Sequence, residues 1–190
     1  MRLRTLVAGS TVAVLAAVGL PAAAHAAPVV PARALLTAAE FPAGSTHYAA
    51  GARSPSAGVA GSESAQCAKE RAMLESSLRS GSASDAVAIR EQTQILVSVI
   101  DRPLSASIAG YATRCATPAG AWTDPESIPS DLRGFRPRVV STGPEDLRGW
   151  VDVRGATVGV VVAGVDGTAA DREAFWQLLR AQVAKVERQP

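Results

Sequence analysis

Residues 147–185 read LRGWVDVRGATVGVVVAGVDGTAADREAFWQLLRAQVAK, and their reading decides the fold class. Leu147–Arg154 and Ala156–Gly164 are two strand candidates, and Arg154-Gly155 between them suits a hairpin turn. In the second strand Val158, Val160 and Val162 share one face while Val161 and Ala163 lie on the other. Apolar residues on both faces are the mark of a central strand. The helix that follows carries one apolar stripe of Phe175, Leu178, Leu179, Val183 and Val186, flanked by Trp176, with Glu173, Arg180 and Glu187 on the far side. Its expected start is Thr168, with Asp171 three residues on, a spacing that resembles a capping box.

Working outward, Phe135–Ser141 is a third strand candidate. Ala86–Arg90 and Ile95–Ile100 read as two more, with residues 91–94 as their turn; one long strand is the alternative. A weak strand is expected between Gly44 and Arg53. Helical spacing appears over 62–79, with Ser62 or Ser64 as N-cap and Gly81 past the end, and again over 104–115. A short helix is expected over 34–40, stopped near Pro42. The Gly, Ser, Ala and Pro content of 51–64 and 116–134 marks loops, the second with a short strand around Trp122. No internal repeat is seen. The expectation is a single α+β domain over 34–188, an antiparallel sheet with helices packed on it, after a disordered lead-in at 27–33.

The chain has 190 residues, 47% of them hydrophobic and 19% charged, too apolar for a disordered polymer and too short for two sizeable cores. Residues 1–26 combine Arg2 and Arg4, an uncharged apolar run from Leu6 to Leu20, and Ala24-His25-Ala26. This is the layout of a cleaved signal peptide with the cut before Ala27; residues 22–24 offer a second cut. The run is short for a permanent anchor, and no cysteine follows it to accept lipid. The expectation is a secreted, extracytoplasmic protein with no stable membrane anchor. Without Arg2 and Arg4 the basic and acidic side chains balance, which argues against a nucleic-acid partner. Arginine far outnumbers lysine and alanine is abundant, the composition of a high-GC bacterial source.

Cys67 and Cys115 are the only cysteines. Cys67 falls on one helical face with Leu74 and Leu78, and Cys115 continues the stripe of Leu104, Ile108 and Tyr111. A disulfide between them suits an oxidising compartment, and closing that loop contributes about 4 kcal/mol in the chain-entropy account. Two free buried thiols are the alternative. With His47 the pair would give at most three soft ligands in no ligand-like spacing, so no metal and no cofactor is expected.

His47, the only histidine beyond residue 26, lies in a Gly/Ser/Ala-rich stretch, and no Gly-x-Ser-x-Gly elbow is present. Lys69 and Lys185 are not in a Ser-x-x-Lys pattern, and there is no phosphate loop or dinucleotide fingerprint. Candidates for a carboxylate pair, whose pairing the fold would set, are Asp124, Glu126, Asp131, Glu145, Asp146 and Asp152, which read as solvated loop and strand-end charge. Arg136 and Arg138, within the five arginines of 133–154, are candidates for gripping an anionic ligand; a charge-balanced solvent face is the plainer reading. Trp122 and Trp150 are candidates for lining a groove, and Trp176 for anchoring the core.

The succession of Ala34–Gly44, the Cys67 helix, Cys115, Thr157–Gly164 and the helix from Asp171 to Lys185 resembles exported domains of mycobacteria and related actinobacteria. It is similar in arrangement to the extracellular sensor domain of PknH-type receptor kinases. The resemblance implies an α+β domain with a ligand-binding cleft and no catalysis. Such sensors carry two disulfides where this chain can form one, and neither a kinase domain nor a lipid-accepting cysteine is seen. The expected function is a non-enzymatic ligand-binding or sensor-like domain of the cell envelope, taking a small molecule, lipid or wall glycan. The alternatives are a secreted hydrolase with a carboxylate site and a module that only binds a protein partner.

Overall fold

The computed structural model describes residues 27–53, 64–115 and 128–190. The signal-peptide reading, most of the first loop and Trp122 with its expected strand lie outside them. The elements are α1 (Pro31–Ala34), β1 (Ser45–Ala52), α2 (Ala65–Arg79), β2 (Ala83–Arg90), β3 (Thr93–Ile100), α3 (Ser105–Cys115), β4 (Arg138–Gly143), β5 (Asp146–Val153), β6 (Ala156–Gly164) and α4 (Arg172–Glu187). The six strands form one antiparallel sheet in the order β1-β2-β3-β6-β5-β4. Each half is three antiparallel strands in chain order, β1 and β2 joined through α2 and the other pairs by hairpins, and the halves join along the β3–β6 seam, from Thr93 opposite Gly164 to Ile100 opposite Thr157. The α+β expectation holds, with helices on both faces and the Cys67–Cys115 disulfide formed at a Cα separation of 5.5 Å.

One face of the sheet buries Val97, Val99, Val151, Val158, Val160 and Val162 against Phe175, Leu178, Leu179, Val183 and Val186 of α4 and against Leu35 and Leu36 beside α1. The stripe read from sequence is therefore the main core, and Trp176 joins it edge-on to Phe175 at 4.8 Å. Gln182, fully buried in the same stripe, accepts from the Leu36 N–H at 3.0 Å and donates to the Ala34 carbonyl at 2.6 Å. On the other face α2 and α3, tied by the disulfide, cover Ile100 with Leu74, Leu78 and Tyr111, and cover Val140 and Trp150 with Ala109 and Ala112. The start of α3 is pinned by Asp152, which accepts from the Ser105 N–H at 3.1 Å and hydroxyl at 2.6 Å. A carboxylate is well placed against the positive end of a helix.

Several local expectations need correction. The 27–33 lead-in is packed, with Val29 buried and Pro31 opening α1, because proline at the first helical position sacrifices no hydrogen bond. The single helix expected over 34–40 is instead α1, an extended Leu35–Leu36 pair, and a separate turn of 3₁₀ helix at Ala38–Glu40. The extension lets Gln182 reach the Leu36 N–H. The strand expected from Phe135 starts at Arg138, because Arg133–Phe135 is 3₁₀ and Arg136 adopts a left-handed φ of 55°. Asp171, not Thr168, caps α4, accepting from the Ala174 N–H at 2.9 Å, while Thr168 donates to the Gln92 side chain. The two-strand reading of 86–100 is correct, but the turn is shorter than expected: the chain reverses at Glu91, φ 52°, and Thr93 already pairs with Arg90.

Candidate functional site

Strand alternation places Asp85, Val87 and Ile89 on the face of the sheet opposite α4, and Ala86 and Ala88 in the main core. The larger apolar side chains of β2 therefore point away from that core. In register, Val87 lies beside Leu96, and Leu96 beside Val161. Ile89 continues through Gln94 to Ala163 in the next row. The disulfide-linked helices pack toward Ile100, Trp150 and Val140, so among the described residues this half of the face has no cover. Val87 is 43% and Ile89 39% exposed.

These residues form a groove of about 450 Å³ with an apolar floor of Val87, Ile89, Leu96, Val161 and Ala163 and polar groups at Gln94 and His47. His47 reaches its rim because β1 is irregular between Thr46 and Ala49 and His47 has a φ of 54°. Its Nδ1 lies 3.0 Å from the Thr46 hydroxyl. Along β2 the apolar row gives way to Asp85, whose carboxyl is pushed up by burial against the opposing pull of Arg53. The Asp85 Oδ1 atom is buried without a hydrogen-bond partner, while Oδ2 lies 3.5 Å from Arg53 Nε.

The residues singled out from sequence are dispersed. Trp150 does not line a groove: it is 8% exposed and packed under α3. Its indole lies against Gly159, where a Cβ would come within 3.0 Å of the ring, so the glycine makes the room it occupies. Arg138 is the register partner of Trp150 but is itself exposed, and Arg136 is exposed in the approach to β4. Trp122, Asp124 and Glu126 lie outside the described residues. Asp131 pairs with Arg180 and Asp146 with Arg148, while Asp152 holds α3. Among the described residues no three His, Cys, Asp or Glu side chains gather as a metal site, and no helix is long and apolar enough to cross a membrane.

Reading the sequence missed this groove. Its signal was present in Ala86-Val-Ala-Ile89, where the small residues occupy one face and the large ones the other. No protein-family model matches the chain, and neither a curated protein nor a solved structure does.

Proposed function

We propose that this chain is an exported, non-enzymatic binding domain of the bacterial cell envelope whose ligand is an apolar small molecule or a lipid acyl chain. The observation that carries the reading is the uncovered half-face of the sheet, where Val87 and Ile89 stand exposed beside Leu96 and Val161 in a groove of about 450 Å³. A contiguous apolar surface of this kind is characteristic of an interaction site, and the volume suits a small ligand. Gln94 and His47 offer polar contacts at the rim. Export is supported by the charged, apolar and small-residue succession of residues 1–26 and by the disulfide. Binding is preferred to carboxylate hydrolysis because Asp131, Asp146 and Asp152 are each engaged in an ion pair or a helix-end contact.

Titration with the fluorescent fatty acid cis-parinaric acid tests the ligand. Saturable one-to-one binding is expected, weakened tenfold or more by Val87→Asp. Absence of saturable binding, or equal binding by the variant, refutes the site; a stoichiometric protein complex on the same face would replace the ligand reading with a docking one. Export is tested by intact mass: secreted protein beginning at Ala27 is expected, and full-length chain retaining Met1 in the cytosol overturns it.

A further inference from the structure

We infer that a second groove, between α3 and the outer strand β4, binds a phosphate-bearing ligand. The groove holds about 450 Å³, with Ala106, Ala109 and Gly110 on one wall and Arg138 to Val140 on the other. It is distinct from the apolar groove on β2, β3 and β6, and among the described residues no carboxylate lines it.

Two arginines line it, Arg114 from the helix wall and Arg138 from the strand wall. Arg114, at the end of α3, donates through Nε and Nη2 to the Glu70 carboxylate at 3.3 and 2.7 Å. Those contacts fix the guanidinium and leave the Nη1 edge without a partner among the described residues. Arg138 is exposed and has no carboxylate partner among them. Two forks approaching from different elements suit a phosphate, whose several oxygens can accept from both; a single fork already fills the two oxygens of a carboxylate.

Gly110 supplies the second argument. Glycine is a poor residue inside a helix, yet it stands in the middle of α3. A Cβ at this position would lie 3.1 Å from Arg114 Nη1 and 3.2 Å from Nη2. An alanine here would push the guanidinium, which lies back along the helix, by a few tenths of an ångström. Gly110→Ala should therefore separate two effects, improving helix formation while displacing the cation.

The test is a titration of the folded, isotope-labelled protein with inorganic phosphate at low ionic strength, followed by amide NMR shifts. Saturable shifts at Gly110, Arg114 and Arg138 are expected. Arg138→Gln and Gly110→Ala should each weaken the apparent affinity tenfold or more, while the urea midpoint of Gly110→Ala stays at or above that of the parent. No saturable shift, or affinity unchanged in either variant, overturns the inference. Two further arms separate the sources of the phosphate. Retention by phosphatidylglycerol vesicles but not by phosphatidylcholine vesicles, lost in Arg138→Gln, assigns a lipid headgroup. Binding of sn-glycerol 1-phosphate without vesicle retention assigns a soluble ester, and failure of both overturns the site.

Discussion

Replacing Gln182 by leucine keeps the size and shape of a buried side chain and removes only its amide. In the folded protein that amide is the sole link between the Leu36 N–H and the Ala34 carbonyl on one side and α4 on the other. Both backbone groups would remain buried, since Ala34 is 0% and Leu36 1% exposed. An orphaned buried polar group costs about 1–3 kcal/mol, so two of them cost about 2–6 kcal/mol, and the extra apolar burial of leucine returns about 1 kcal/mol. The net expectation is a loss of about 1–5 kcal/mol in urea unfolding, with part of it local. Hydrogen exchange over residues 29–36 should accelerate more than exchange in β3 or β6, because only the Tyr48 hydroxyl on the Leu36 carbonyl and the Val30 N–H on the Gln189 side chain remain, among the described residues, as side-chain ties on that segment. A loss below about 0.5 kcal/mol, with Leu36 still protected, would mean that water or a shifted backbone replaces the amide, and the reasoning would fail.

Two further expectations concern covalent and ionic ties. Cys67→Ala with Cys115→Ala opens a link between residues 48 positions apart and should lower stability by about 4 kcal/mol; a urea-measured change under about 1 kcal/mol would show that α2 is held by Leu74 and Leu78 alone. Burial pushes the Glu40 carboxyl up, but hydrogen bonds from Lys185 and Thr37 prevail and hold it at about 2, below its ordinary 4.5. With the folded value depressed, its stabilising contribution is complete above pH 4.5 and fades as pH falls toward 2. The difference in urea midpoint between the parent and Glu40→Gln should accordingly narrow across that window, and a gap that stays constant to pH 2 refutes the pairing.

Much of the fold was legible because its determinants are local. The β5–β6 hairpin is written in Arg154-Gly155, both with positive φ, and the α4 stripe in its spacing alone. The two cysteines each continued an apolar helical face, and the bridge follows from those faces meeting. Pairing across distance was not legible. Nothing near Trp150 says that Gly159 will stand beside it and α3 above it, so an aromatic in a polar stretch read as a groove residue. Nothing local marks Gln182 as buried, because its partners lie on α1 and the extended pair after it, far away in the chain. The candidate groove was hidden for a related reason: alternation identifies two faces of β2 but not which of them a helix will cover. Arg138 was named from charge density, yet its wall-mate Arg114 belongs to the second cysteine helix, and only the register of β4 against β5 brings that helix over it.

The seam between the two halves sets a kinetic problem for the newborn chain. The β2–β3, β4–β5 and β5–β6 hairpins close through short turns, but β3 can meet β6 only after α3, β4 and β5 have been made, and such long closures slow assembly. Until then Ile95–Val99 and Val158–Val162 are naked strand borders of the kind that recruit neighbours. Yield on refolding should therefore decline with protein concentration, as bimolecular pairing competes with the one internal zip that hides both borders together.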